Sequence, residues 1–165
     1  MKLIILLTIL LVIAVLPINA TEYYDVALST ELQDELFTIC ETYDVPPELM
    51  LALMFVESSY RIDVISRTND YGLCQINKIN HAELSELLGI DDFLDPIQNM
   101  TAGAYMLGKY MAEYDGDNVN LTLHAALMCY KLGENGAAKR FKQGVYSNAY
   151  SRKVVSVMEG YHGTD

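Results

Sequence analysis

The sequence predicts an all-α domain interrupted by a short β-hairpin near residues 66–77. Three observations lead there. Apolar residues recur at three- and four-residue spacing in most segments after residue 28, the mark of a helix with one buried face. Several of those segments begin at Ser, Pro or Asp and others end at Gly, as helix termini prefer. Only residues 60–77 are punctuated densely by Asp63, Ser66, Asn69, Asp70 and Gly72, which suits an irregular excursion with a tight hairpin around Tyr71–Ile76. At 165 residues the chain suits one domain better than two.

Taken in order, the first segment is a leader. "MKLIILLTILLVIAVLPINA" places Lys2 before an apolar or near-apolar run from Leu3 to Leu16, broken by Pro17 and closed by the small Ala20. The run is short for a bilayer-spanning helix, which needs about 20 residues. Residues 1–20 therefore read as a signal peptide or, since Ile18 is bulky for a cleavage site, as an uncleaved amino-terminal anchor. Either way the remainder is exported, to the extracellular space or the cell wall, and contact with the membrane is expected only through residues 1–20. Residues 21–27 read as a linker and 28–161 as the folded domain.

"STELQDELFTICETY" opens on Ser29 or Thr30 as cap and carries a stripe at Leu32, Leu36, Ile39, Cys40 and Tyr43. "PPELMLALMFVESS" begins with proline and has Glu48 in its first turn. From Leu49 to Val56 it is apolar on nearly every face, so it belongs at the centre of the core. "NHAELSELLG" is a short helix ended by Gly89. "DPIQNMTAGAYMLGKYMAEYDGD" is a long one, with Asp95 as cap, Pro96 first, Gln98 as capping-box partner, and a stripe at Ile97, Met100, Ala104, Leu107 and Met111. "LTLHAALMCYKLG" stops at Gly133, and "ENGAAKRFKQG" and "NAYSRKVVSVMEGY" complete the domain.

Composition narrows the function. The chain has 22 Asp and Glu against 11 Lys and Arg, for a net charge of −11. Nucleic-acid phosphates would be repelled by such a surface, so no nucleic-acid partner is expected. One basic cluster stands apart: Lys131, Lys139, Arg140, Lys142, Arg152 and Lys153. It reads as a solvated helix face or as a contact for an anionic polymer. Cys40, Cys74 and Cys129 lie in apolar surroundings and read as free and buried, with a Cys74–Cys129 bridge as the alternative. His81, His124 and His162 are isolated, so no metal site and no cofactor are implied. No heptad pattern demands a partner helix, which makes a monomer the expected state.

The stretch with the most chemistry is "FVESSYRIDVISRTNDYGLCQIN", residues 55–77. Glu57 stands at the end of the fully apolar helix, where partial desolvation would favour its protonated form. A carboxyl that holds a proton near neutral pH can protonate a glycosidic oxygen. Without further context, Glu57 reads better as a residue that leaves the core and reaches water. Its spacing to Ser66, Gly72 and Gln75 supplies that context. The ordered set Glu57-Ser58, Ser66 and Gly72-Leu73-Cys74-Gln75 resembles the soluble lytic transglycosylase (SLT) family, whose members read E-S, then S, then G-L-M-Q. "CYKLG" at 129–133 matches the family's A-Y-N-x-G in part. "AYSRKVV" resembles its tyrosine-plus-basic pattern, and "DPIQNMTAGAYML" its D-P-x-Q-N-I-x-A-G-x-x-Y-L. The resemblance covers about residues 32–158.

It implies a lysozyme-like fold that binds peptidoglycan glycan strands and cuts the β-1,4 bond between N-acetylmuramic acid and N-acetylglucosamine, leaving a 1,6-anhydro end. Glu57 would act first as acid and then as base. Ser66 would position the substrate acetamido group, and Gly72 would admit close backbone approach. Gln75 and Tyr130 would line the groove, Tyr130 with its hydroxyl near Glu57, and Tyr150 would face a sugar ring. By residue type alone, Ser66 suits a turn, Gln75 a local backbone bond, and Tyr130 the core. Two positions depart from the family pattern. Lys131 replaces an asparagine and Cys74 a methionine, and a positive charge beside Glu57 would oppose the acid role. The small exported form is similar to SLT domains of Gram-positive cells and their mobile elements.

Two other readings compete. "NDYGLCQIN" also resembles the D-Y-G-x-x-Q-I-N stretch of animal-type lysozymes, which makes Asp70 a candidate second carboxylate for hydrolysis. The Glu57–Gly72 interval fits the SLT pattern better, and three cysteines cannot supply the many disulfides of those lysozymes. Lys131 and the acidic surface motivate a third reading, a non-catalytic glycan-binding module.

Overall fold

The computed structural model describes residues 23–116 and 118–161. The leader expected over residues 1–20, and His162, lie outside them. Six helices and one small sheet follow in the order α1 (Thr30–Tyr43), α2 (Pro47–Ser58), β1 (Asp70–Tyr71), β2 (Ile76–Asn77), α3 (His81–Leu88), α4 (Pro96–Glu113), α5 (Val119–Phe141) and α6 (Ala149–Tyr161), with a 3-10 turn at Lys78–Asn80 before α3. The all-α class and the hairpin are both as expected.

Helix α2 is the axis of the domain. Every side chain from Leu49 to Met54 is fully buried, because α2 is packed against both α1 and α6. Helix α4 lies against α1 and α5, and α5 against α6, so the remaining core residues (Leu36, Met100, Leu107 and Leu127 among them) close around α2. Each such side chain contributes about 1.5–3 kcal/mol by leaving water. Helix α2 can therefore present a polar residue at its last turn without weakening the centre.

Caps act as the sequence suggests, with one exception. Ser29 accepts the Leu32 N–H at the start of α1, and Asp95 accepts the Gln98 N–H at the start of α4. The Gln98 side chain does not return to the Asp95 backbone as a capping box would. Its Oε1 accepts from the Asp91 and Asp92 N–H groups and its Nε2 donates to the Asp91 carboxylate, so the preceding loop outcompetes the cap. In the stripe of α4, Met100, Ala104 and Leu107 are fully buried, whereas Ile97 is exposed. Gly133 interrupts α5 with φ +69° and ψ 160°, a break between two helical stretches at the place where the helix was expected to stop.

Residues 23–28 lie against the domain. The Gln33 side chain accepts the Tyr24 N–H and donates to the carbonyls of Tyr24 and Leu28, and the Tyr24 hydroxyl donates to Glu48 at 2.5 Å. The three cysteines are free thiols and buried, and burial pushes the Cys40 thiol up to about 12. None is available as a thiolate near neutral pH.

Candidate active site

The end of α2 sets the first wall. Ser58 and Glu57 occupy the last turn, and the chain then reverses through Ser59 and Tyr60, both at positive φ. The Ser58 hydroxyl turns back to the Met54 carbonyl, so the last turn keeps its hydrogen bonding inside the helix. Glu57 faces a cleft of about 560 Å3 that Asp70, Gln75, Tyr130, Lys131 and Glu83 also line. Its side chain is only 9% exposed.

The β1–β2 hairpin forms the second wall, and two buried or tightly held polar groups shape it. Strand pairing sets Asp70 opposite Asn77 and Tyr71 opposite Ile76, with an added bridge from Ile65 to Tyr71. Asp70 accepts hydrogen bonds from Ser66 (2.6 Å), Asn77 (2.6 Å) and Thr68. Burial pushes its carboxyl up, but these hydrogen bonds and the charge of Lys131 outweigh burial and hold it below the usual carboxylate range. The connecting turn is pinned by Asn99 of α4, which is fully buried. Its amide donates to the carbonyls of Tyr71 and Phe93, both at 2.8 Å, and accepts the Cys74 N–H at 2.7 Å.

Gly72 and Gln75 owe their placement to this turn. Gly72 has φ +70°, and a Cβ there would lie 2.6 Å from the Asn99 amide nitrogen and 2.9 Å from the Phe93 carbonyl oxygen. Glycine is thus required by protein packing at this point. Gln75 adopts φ +50°, a left-handed conformation that costs a non-glycine residue about 1–2 kcal/mol. Its side-chain amide donates to the Gly72 carbonyl at 2.9 Å, which offsets part of that cost while the residue lines the cleft.

Helices α5 and α6 supply the third wall. Tyr130 lines the cleft, and its hydroxyl donates to the Cys74 carbonyl at 2.7 Å, tying α5 to the hairpin turn. Lys131 reaches across the opening, with Nζ 3.4 Å from both Glu57 oxygens and 4.9 Å from the centre of the Tyr150 ring. It is the only cation among the described residues that line the cleft. Tyr150 lies beneath it on α6. The Tyr150 hydroxyl is the one buried side-chain polar atom without a hydrogen bond among the described residues. Burial first, and then the nearby Glu57 carboxylate, hold that hydroxyl well above the usual phenol range. The carboxylate acts on it through charge and as a nearby acceptor, although the pair falls outside ordinary hydrogen-bond geometry.

The structure therefore brings Glu57, Asp70, Gln75 and Tyr130 to one cleft. Ser66, Gly72 and Tyr150 are not among its lining residues: the first two build the hairpin and the third lies under Lys131. Asn99 escaped site assignment from sequence, although it sits inside the "DPIQNMTAGAYML" stretch. A polar residue within an apolar helical stripe was the available signal. No group of His, Cys, Asp and Glu among the described residues is arranged to hold a metal ion.

A family model described as the transglycosylase SLT domain matches residues 36–152. The fold is similar to that of lytic transglycosylase Slt from Pseudomonas aeruginosa, solved as an inactive mutant, with a TM-score of 0.66 at 18% identity over 78% of this chain and 23% of that one. It is also similar to the 70 kDa soluble lytic transglycosylase SLT70 from Escherichia coli, with a TM-score of 0.57 at 19% identity over 78% of this chain and 22% of that one. The chain spans less than a quarter of the length of either. No curated protein matches it.

Proposed function

The chain belongs to the transglycosylase SLT domain family, and from that premise we propose that it is a peptidoglycan lytic transglycosylase with Glu57 as its acid and base. One observation carries the reading: a carboxyl that is 9% exposed stands in the last turn of a helix whose residues Leu49–Met54 are fully buried, and it opens on the cleft. In the reaction, Glu57 protonates the oxygen linking N-acetylmuramic acid to N-acetylglucosamine, and the bond from the muramyl C1 to that oxygen breaks. The substrate acetamido group stabilises the cationic sugar. Glu57, now ionised, takes the proton of the muramyl 6-hydroxyl, whose oxygen bonds to C1, and no water is consumed.

The other residues serve alignment. Gln75 and Tyr130 form the groove walls, and their hydrogen bonds to Gly72 and Cys74 support a rigid surface for the strand. Ser66 acts on the acetamido side of the site through the Asp70 loop that it braces, and Gly72 lets that loop close on Asn99. Tyr150 supports the cleft floor beside Glu57. The protein works as a monomer outside the cytoplasmic membrane. No helix among the described residues is long and apolar enough to cross a membrane.

Asp70 supports a second reading, hydrolysis of the lysozyme type, because it is held ionised in the same cleft. Its oxygens are already engaged by three side chains, which favours a structural task. Digestion of purified sacculi followed by mass spectrometry separates the readings. Anhydro-ended muropeptides that disappear with Glu57→Gln support lytic cleavage, and reducing ends indicate a hydrolase. Cleavage that persists in Glu57→Gln removes Glu57 from the chemistry and leaves a glycan-binding module.

A further inference from the structure

The cleft contains an ion pair that the lytic reaction has to break. Around Glu57 stand Lys131 and Tyr130 from α5, Tyr150 from α6, Cys74 from the hairpin turn and Asp70 from β1, with Glu83 of α3 farther along the cleft. Burial holds the Tyr130 and Tyr150 hydroxyls and the Cys74 thiol in their neutral forms well beyond neutral pH. Asp70 stays ionised to low pH. Lys131 is thus the one positive charge among the described residues that line the cleft with Glu57. It is equidistant from both carboxylate oxygens at 3.4 Å, and its own side chain is 47% exposed. Its other contact is the face of the Tyr150 ring. A cation paired with Glu57, laid over one ring face and drawn through charge by the Asp70 carboxylate, with half its surface in water, can leave at modest cost.

We propose that Lys131 is a displaceable counter-ion, a positioning residue that holds Glu57 as a carboxylate and covers it until a glycan strand pushes the ammonium aside. The inference rests on the lytic reading for its effect on rate, and on geometry alone for the ion pair. In the free protein the ammonium stabilises the form of Glu57 that cannot donate a proton, and it stands over the oxygens that a glycosidic oxygen must approach. A strand entering the cleft removes both obstacles together. The acid is then released only where substrate lies. The asparagine of the family pattern carries no charge at this position, so the device belongs to this chain's own lysine.

Two variants test it, Lys131→Asn and Lys131→Met. Because Lys131 is half exposed, both should fold with thermal midpoints close to the parent. Glu57 donates a proton in the first step, so activity falls as pH rises and the carboxyl ionises; removing the ammonium should move that fall to higher pH. At subsaturating glycan, Lys131→Asn should raise the rate about fivefold on the alkaline side and leave the acid side unchanged. A rate ratio that is flat with pH, or below one throughout, would overturn the proposal and make Lys131 a group that the substrate needs. The ion pair has its own readout in carbon NMR of the Glu57 carboxyl in labelled protein without glycan. Its resonance should titrate at higher pH in Lys131→Met than in the parent, and coincident titrations would overturn the counter-ion. If the parent yields no anhydro ends, the lytic reading fails, while the carboxyl titration still decides the counter-ion.

Discussion

Replacing Asn99 by leucine keeps most of the side chain's reach and removes every polar atom from it. Three buried hydrogen bonds disappear together: those to the carbonyls of Tyr71 and Phe93, at 2.8 Å each, and that from the Cys74 N–H, at 2.7 Å. A typical internal hydrogen bond contributes about 1 kcal/mol net, and a buried partner left unpaired costs about 1–3 kcal/mol. Asn99 is fully buried and its partners belong to the hairpin turn and the loop before α4, so the expected loss is ~3–6 kcal/mol. For a domain of this size each kcal/mol lowers the thermal midpoint by about 2–4 °C, which puts the shift at roughly 6 °C or more. Urea unfolding of the variant beside the parent measures it. Glycan cleavage should fall further than the unfolded fraction explains, because Gln75 would lose its fixed place. A loss below about 1 kcal/mol would refute the claim that Asn99 anchors the cleft wall.

Other expectations follow from the same geometry. Tyr150→Phe removes a buried hydroxyl that makes no hydrogen bond, so stability should stay within about 0.5 kcal/mol of the parent by thermal unfolding; a large loss would mean that the hydroxyl has a structural partner. Asp70→Asn should destabilise the hairpin, since Ser66, Thr68 and Asn77 all donate to the carboxylate, while the anhydro products persist. In the parent, the strengthened acidity of Asp70 contributes stability that is present above pH 3.8 and is lost as pH falls below it, a loss the variant should not show. His124 on α5 contacts Ser151 of α6 at 2.9 Å, and burial, then Arg152, hold its imidazole below its ordinary value of 6.5. The unfolded chain therefore takes up the proton first, and stability should drop as pH falls below 6.5. His124→Gln should flatten that slope in pH-dependent urea unfolding.

Much of the fold was legible because its signals are local. Pro47 with Glu48, Asp95 with Pro96, and Gly89 mark helix ends through a missing N–H, a side-chain acceptor or a freely turning backbone. The run from Leu49 to Met54 reads as a central helix because only a position surrounded by other helices can bury all its faces. The Gln98 side chain could not be placed in this way, since Asp91 and Asp92 compete for it across a loop whose path is tertiary. The site was legible as a set of spacings around Glu57, and its internal wiring was not. Ser66 and Asp70 are four residues apart, yet their hydrogen bond depends on the turn geometry at Asn69. Gly72 seemed suited to a sugar, and its neighbour proves to be Asn99, twenty-seven positions along the chain. The Lys131–Glu57 contact joins α5 to α2, a separation at which sequence could name the two residues but no distance.

The central claim is that Glu57 cuts glycan strands without consuming water, and digestion of sacculi in heavy-oxygen water tests it most directly. The account predicts muropeptide products one water lighter than hydrolytic ones and free of the heavy isotope at the new muramyl terminus, with none formed by Glu57→Gln. Heavy oxygen incorporated at that terminus would contradict it.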